Sequence, residues 1–353
     1  MHKNRSVNIF DIARLSGVST STVSRVLNNH GGVSVKTRSR VEKAIKDSMY
    51  IPNNSARNLS RHDTRTVVVI VNGITNPFFT QMFSVIQKEL EKERFSMILQ
   101  SHETEVYADC GRSKNGTDII DTAISVYKEK RPKGIMFLGG FFEEKHENLA
   151  LIDVPVVLAT STVYANCDRS KFSSVTIDDE REAYHITKYI CQNGHKQIAV
   201  IGHHPQSDTI SGRRFRGFDK AVREYGISAS EIRLHHEIEF SYEAGYNATK
   251  ELLSGSSFTC VFCFSDVLAI GAMKAIRESG LRIPEDISVV GFDGISIGSY
   301  MNPILTTVKQ PAHDIAYKAV TGLLNSINSG KPHSHFIVPA TIVEGGSFCS
   351  ISG

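Results

Sequence analysis

The chain has 353 residues, a length that predicts about two domains. Hydrophobic residues make up 41% of the chain and charged residues 22%, which is typical of globular proteins and excludes intrinsically disordered and collagen-like classes. The formal net charge of +3 is uneven, because residues 1–62 hold eleven lysines and arginines against three acids and the remainder carries a net charge of −5. This distribution predicts a small basic module that approaches a polyanion, followed by a larger acidic one.

The apolar segments point to a cytoplasmic protein without a membrane partner. No segment approaches the roughly 18 uncharged apolar residues of a membrane span, and the first 30 residues are too charged for a signal peptide. The six cysteines then predict reduced thiols rather than a disulfide framework. Cys260 and Cys263 lie within an apolar run and are interpreted as buried small hydrophobes rather than as half of a zinc or redox site. No catalytic, metal or cofactor site is predicted.

Three short helices are predicted in the basic module. Asn8 caps the first, which ends at Gly17 and has one apolar face formed by Ile9, Ile12, Ala13 and Leu15. Ser19 caps a second helix from Thr20 to Leu27, and Ser34 caps a third from Val35 to Asp47. Two short helices joined by a glycine-containing turn form a helix-turn-helix.

The second helix carries hydrogen-bonding side chains on the faces that its apolar residues leave free. Residues at the start of a recognition helix lie nearest the base edges in the major groove of DNA, and hydroxyls there also bind phosphates. Arg25 has the planar donor group that suits guanine. The predicted DNA-binding residues of this module are Ser19, Thr20, Ser21, Thr22, Ser24, Arg25, Asn28 and Ser34.

From residue 66 onward, apolar strands alternate with amphipathic helices. The predicted strands are Val67–Val71, Phe95–Leu99, Gly134–Leu138, Val156–Leu158, Ile198–Ile201, Cys260–Phe264 and Ser288–Phe292. Such alternation predicts an α/β fold whose parallel sheets are covered on both faces and bind ligands at the carboxyl ends of their strands. No glycine-rich phosphate-binding motif follows any of these strands.

Several motifs in order resemble the LacI/GalR family of repressors. In the basic module they are Asp11-Ile-Ala-Arg-Leu-Ser-Gly-Val-Ser19, Thr22-Val-Ser-Arg-Val-Leu-Asn28 and Tyr50-Ile-Pro-Asn53. In the larger module they are Asn76-Pro-Phe-Phe79, Gly291-Phe-Asp293 and Leu305-Thr-Thr-Val-Lys-Gln310. The resemblance covers nearly the whole chain.

The resemblance implies a domain organisation. A helix-turn-helix head would occupy residues 1–52, a hinge helix and linker residues 53–62, and an effector-binding and dimerisation core residues 63–353. The core would be periplasmic-binding-protein-like, with two doubly wound parallel-sheet sub-domains at about 63–175 with 310–336, and 176–309 with 337–353. Within the hinge, Ala56, Arg57 and Leu59 would contact DNA, and Leu59 would wedge into the minor groove and kink the duplex.

The resemblance also implies an effector site in the core. Phe78, Phe79 and Phe240 would form aromatic walls, Arg214 and Asp293 would bond to polar groups of the effector, and Thr160 and Ser265 would complete the site. Alternatives remain for several of these residues: Phe79 as ordinary helix core, Arg214 as a solvated surface residue, and Asp293 as a turn carboxylate. Asp266 is expected to cap the following helix.

Together these features predict a transcriptional regulator that represses genes. It would bind a pseudo-palindromic operator in double-stranded DNA as a homodimer, under the control of a small molecule. A sugar or sugar derivative is the favoured effector, and a purine or nucleoside is the alternative. A solute-binding protein or an enzyme on the same α/β core is the alternative class, although no nucleophile elbow or paired-carboxylate motif is present.

Overall fold

The computed structural model describes residues 8–27, 31–48, 65–102, 119–142, 144–163, 168–202, 209–236, 239–330 and 332–351. Contacts divide the chain into two units, Met1–Thr64 and Arg65–Gly353. The predicted DNA-binding residues Asn28, Ala56, Arg57 and Leu59 lie outside the described residues.

The first unit contains the three predicted helices at the predicted positions. They are α1 (Ile9–Ser16), α2 (Thr20–Leu27) and α3 (Val35–Asp47). Asn8 caps α1 as predicted and forms a capping box with Asp11, and Gly17 ends the helix in the left-handed conformation that glycine favours. The helix-turn-helix prediction is confirmed.

The three helices share a small apolar core, with one difference from the prediction. Val23, Val41 and Ile12 are fully buried at its centre. Leu15, expected on the apolar face of α1, is 62% exposed, and Ser16 is buried in its place. Ser16 lies four residues after Ile12 and three after Ala13 and is therefore at the centre of their face, whereas Leu15 lies three residues after Ile12 but only two after Ala13 and is at the edge of that face.

The described residues of the second unit form two six-stranded sheets and a two-stranded sheet. The strands before residue 180 are β1 (Thr66–Asn72), β2 (Ser96–His102), β3 (Gly134–Leu138), β4 (Phe141–Phe142), β5 (Val156–Ala159), β6 (Thr162–Val163) and β7 (Ser173–Thr176). The later strands are β8 (Ile198–Ile201), β9 (Ile232–His235), β10 (Cys260–Cys263), β11 (Ser288–Asp293), β12 (Thr306–Lys309), β13 (His335–Ile337) and β14 (Thr341–Val343).

The two large sheets have the same strand order. The first runs β2-β1-β3-β5-β7-β13 and the second β9-β8-β10-β11-β12-β14, while β4 pairs with β6. All pairings are parallel except that of β12 with β14. The chain passes from the first sheet to the second after β7, returns after β12, and passes again after β13. The predicted α/β fold with two doubly wound parallel sheets is confirmed.

The helices of this unit are α4 (Pro77–Lys92), α5 (Ile119–Lys130), α6 (Asp179–Gln192), α7 (Ile210–Glu224), α8 (Tyr242–Gly255), α9 (Asp266–Glu278) and α10 (Ala312–Ser329). Phe78, Met82, Ile86 and Leu90 form the buried face of α4, because they recur every four residues. Helices α6 and α7 pack closely at Gly217, where an added Cβ would lie 2.0 Å from the Glu180 carbonyl oxygen. Cys260 and Cys263 are fully buried in β10, and burial raises the pKa of both thiols, as fits small hydrophobic residues.

Candidate DNA-binding and effector sites

Helix α2 presents two exposed side chains that are one turn apart, those of Ser21 and Arg25. The Ser19 hydroxyl accepts a hydrogen bond from the Thr22 amide at 3.2 Å and lies 2.8 Å from the Ser21 hydroxyl. Thr20, Thr22 and Ser24 are partly buried. Ser19 thus helps to cap α2, while Ser21 and Arg25 lie on one helix face that can approach a nucleic acid.

Ser34 has a comparable role at the start of α3. Its hydroxyl accepts a hydrogen bond from the Thr37 amide at 3.2 Å and donates to the Thr37 hydroxyl at 2.9 Å. The Ser34 side chain is exposed, so a phosphate oxygen can approach the positive end of the helix dipole beside it.

In the second unit, Arg214 and Asp293 belong to one buried cluster. The Arg214 Nε donates to Asp179 Oδ1 at 2.9 Å, and its Nη1 lies 3.5 Å from Asp293 Oδ1. The same Nη1 donates to the Phe264 carbonyl oxygen, and the guanidinium carbon lies 3.7 Å from the centre of the Phe292 ring. Arg214 is only 3% exposed, so the solvated-surface interpretation is wrong.

Asp266 is a third carboxylate near Arg214 and Asp293, with which it interacts electrostatically, and it does not cap α9. Its carboxylate accepts hydrogen bonds from the Thr307 hydroxyl at 2.6 Å and from the Ile295 amide at 2.7 Å. The cap of α9 is Ser265, whose hydroxyl accepts from the Leu268 amide at 3.3 Å. The expectation for Asp266 is therefore wrong, because Ser265, one position earlier, has the extended backbone conformation that a cap requires.

Burial changes the proton affinity of all three carboxylates near Arg214. It raises the pKa of Asp293 to about 7 and that of Asp266 to about 6, against the opposing effects of Arg214 on Asp293 and of the Thr307 hydrogen bond on Asp266. Burial also raises the pKa of Asp179, and the Arg214 charge partly offsets that increase. Gln310 Nε2 donates to Asp293 Oδ1 at 2.8 Å. The cluster therefore combines several hydrogen-bond acceptors with one cation, Arg214, that already pairs with two carboxylates.

Phe78, Phe79 and Thr160 form a second group, at the carboxyl ends of β1 and β5. The two phenyl rings meet edge to face with centroids 5.5 Å apart, and both are buried. The Phe79 ring lies beneath Gly139, where an added Cβ would lie 2.6 Å from its Cζ. The Thr160 hydroxyl accepts from the Gly139 amide at 3.1 Å and donates to the Ala159 carbonyl oxygen at 2.6 Å, so it is bonded to backbone on both sides.

Phe240 lies beside the carboxyl end of β8. It is partly buried, and a Cβ added at Gly202 would lie 3.4 Å from its ring and 2.9 Å from the Phe264 Cβ. Phe240 thus lies near Phe264, whose carbonyl oxygen accepts from Arg214. Every predicted effector residue lies at or just beyond the carboxyl end of a strand, or on the helix that follows one. Ligands of open α/β sheets bind at these ends.

Asp179 is the residue of this cluster that the sequence did not reveal. It stands directly after the Asp178 cap of α6, where acidic residues are common for reasons of helix dipole alone. Its partner Arg214 lies 35 residues later in the chain. The only sequence feature that marked Asp179 was its position directly after the capping residue Asp178.

The described residues contain no group of three His, Cys, Asp or Glu side chains able to hold a metal ion. No helix in the described part of the chain is long and apolar enough to cross a membrane.

The strand order and the basic three-helix unit define a class of protein, a helix-turn-helix unit joined to a doubly wound core. Residues 8–53 match the model for bacterial regulatory proteins of the lacI family, and residues 187–348 match that for the periplasmic binding protein-like domain. The chain is 38% identical over 342 residues to the HTH-type transcriptional regulator MalR of Clostridium butyricum, covering 96% of this chain and 98% of MalR. The chain belongs to the LacI family and is a DNA-binding transcriptional regulator.

Two solved structures are similar over most of the chain. The Lac repressor dimer bound to operator and the anti-inducer ONPF is 25% identical with a TM-score of 0.72, covering 98% of this chain and 100% of that one. A LacI family regulator from Enterococcus faecium with bound ribose is 26% identical with a TM-score of 0.69, covering 81% of this chain and 100% of that one.

Proposed function

We propose that this regulator is a repressor that binds a pseudo-palindromic operator as a homodimer in the bacterial cytoplasm. The observation that carries the proposal is the exposed face of α2, where Ser21 and Arg25 are available to base edges. One head offers few such contacts, and two heads related by a two-fold axis match two half-sites. The similar Lac repressor is a dimer on its operator. Ala56, Arg57 and Leu59 would add minor-groove contacts.

The proposed effector is a sugar or sugar derivative bound between the two large sheets. Hydroxyl-rich ligands need hydrogen-bond acceptors beside aromatic faces, and Asp293 lies near Phe292 in the Arg214 cluster. The similar regulator from Enterococcus faecium binds ribose. Because its relatives are transcriptional regulators, we propose that the chain binds this ligand without converting it.

Two experiments test this function in sequence. An operator is first selected from random duplexes with the full chain, and Leu59→Ala should then lower operator affinity and remove DNA bending. Thermal unfolding against sugars, sugar derivatives, nucleosides and purines next identifies the effector, since a hundredfold excess over Kd stabilises the chain by about 2.7 kcal/mol.

The identified compound should change operator affinity by about 5- to 150-fold, the usual range of allosteric coupling. A selected duplex without two-fold symmetry would contradict the homodimer. Conversion of the bound compound by the chain would contradict the non-catalytic function. Stabilisation by nucleosides or purines alone would replace the sugar with the alternative effector.

A further inference from the structure

The buried cluster around Arg214 contains more negative than positive charge. Asp179, Asp266 and Asp293 supply three carboxylates. Arg214 is the one buried cation near them among the described residues, and it pairs with Asp179 and Asp293. All four residues have exposed fractions of 6% or less. With all four groups ionised the cluster has a charge of −2, which a low-dielectric interior opposes.

Two of the three guanidinium nitrogens of Arg214 are engaged by the protein itself. Its Nε donates to Asp179, its Nη1 donates to the Phe264 carbonyl oxygen and faces Asp293, and one face of the guanidinium is stacked on Phe292. An anion that approaches the third nitrogen, Nη2, would lie near three carboxylates that a single cation opposes. A ligand that only donates hydrogen bonds, such as a hydroxyl or a protonated amine, meets free acceptor capacity instead.

We propose that Asp179 sets the charge preference of the effector site, so that the site accepts neutral or cationic sugars and rejects sugar phosphates and sugar acids. This inference rests on the proposed function, because it assumes that the effector contacts the Arg214 cluster. Asp179 acts by neutralising Arg214, which leaves Asp293 as a surplus acceptor. It is a positioning residue, since it acts on the effector through the guanidinium.

The isosteric substitution Asp179→Asn removes the neutralising charge and keeps an oxygen that can accept from Arg214 Nε. A matched control is Glu182→Gln, which changes a buried carboxylate on the same helix α6 to an amide. Glu182 bonds to Arg181 at 2.6 Å and takes no part in the Arg214 cluster described above.

The first measurement is thermal unfolding of the full-length wild type and both variants with ribose, glucose, glucosamine, ribose 5-phosphate, glucose 6-phosphate and gluconate. We expect the wild type to respond only to neutral or amino sugars. Asp179→Asn should gain at least tenfold in affinity for a phosphate or acid of the same sugar, because one negative charge near the ligand is lost. Glu182→Gln should behave as the wild type does.

A wild type that binds a sugar phosphate or sugar acid as tightly as the neutral sugar would overturn the proposal. So would an unchanged preference in Asp179→Asn. A chain that responds to none of the sugars would refute the proposed sugar control instead, and a second measurement without ligand then decides the charge of the cluster.

That second measurement is the melting temperature from pH 5 to pH 8. Besides Arg214, the titratable groups that interact with these carboxylates are Arg213 and Asp178 near Asp179, and Tyr242 and Cys263 near Asp266. A cluster with surplus carboxylates keeps a proton that the unfolded chain releases, so the wild type loses stability as pH rises. Asp179→Asn should reduce this loss and Glu182→Gln should not. Equal pH dependence in all three proteins would show that no surplus charge exists and would overturn the proposal.

Discussion

Removal of the Arg214 side chain should be among the most destabilising single substitutions in the core. Arg214→Ala leaves the Asp179 and Asp293 carboxylates buried without their cation. Loss of one partner from a buried ion pair costs about 3–5 kcal/mol. A natural protein has a total stability of about 5–15 kcal/mol, so the variant should lose a large share of it. The control is Arg216→Ala, because Arg216 also pairs with a carboxylate of α6, Glu180 at 3.0 Å, but at the surface. An exposed pair contributes about 0–1 kcal/mol.

The assay is urea denaturation followed by far-ultraviolet circular dichroism, since the chain has no tryptophan. The cost of Arg214→Ala should be smaller at pH 5 than at pH 8. At the lower pH the carboxyl of Asp293, whose pKa is already about 7 beside the arginine, is protonated and needs no cation. Equal and small costs for Arg214→Ala and Arg216→Ala at pH 8 would refute the argument that buried charge governs this cluster.

Three further substitutions test separate contacts. Between pH 5 and pH 8 the free energy of unfolding of Asp293→Asn should rise by about 2–3 kcal/mol relative to that of the wild type. The reason is that the native carboxyl of the wild type holds its proton up to about pH 7, whereas the unfolded carboxyl releases it near 3.8, so the wild type loses stability as pH rises. A difference in urea midpoint between variant and wild type that is the same at both pH values would contradict this. Thr160→Val should cost about 1–2 kcal/mol in thermal unfolding through its lost hydrogen bonds, whereas a wild-type melting temperature would show that they contribute nothing. Gly217→Ala should cost about 1–3 kcal/mol by forcing α6 and α7 apart, while Gly322→Ala, in open space on α10, should stabilise; a reversed order would contradict the packing.

Local chemistry explains why the bounds of the three helices in the first unit could be predicted to the residue. Each helix start is fixed by a side chain that bonds to the next turn, Asn8 for α1 and Ser34 for α3, and such caps depend on neighbours three residues away. The fully apolar strands were equally visible, and Gly134–Leu138 and Ile198–Ile201 have the predicted bounds. Burial on both faces demands continuous apolar runs, which a sequence displays directly.

The short and polar strands were not predicted. Ser173–Thr176 has three hydroxyl side chains, and His335–Ile337 lies at the edge of its sheet with two of its three residues exposed. Such strands exist because a longer neighbour supplies the hydrogen bonds, as β7 does for β13. Their formation depends on tertiary contacts and leaves little periodic signal in the sequence. The same reason explains Asp179, whose role depends on a partner in another helix.

Backbone conformation is the remaining feature that sequence could not supply, and it places the site. β5 and β11 hold the same position in their sheets, fourth in each strand order. Thr160 follows β5 with a φ of 56°, and Asp293 ends β11 with a φ of 126°. Threonine is β-branched and disfavours positive φ, and the φ of Asp293 lies well beyond the left-handed helical region that aspartate tolerates. Such strain persists where surrounding contacts impose it, typically at functional sites. The coincidence of strain at equivalent strand ends is independent of family resemblance, and it favours an effector that contacts both sheets at these two residues.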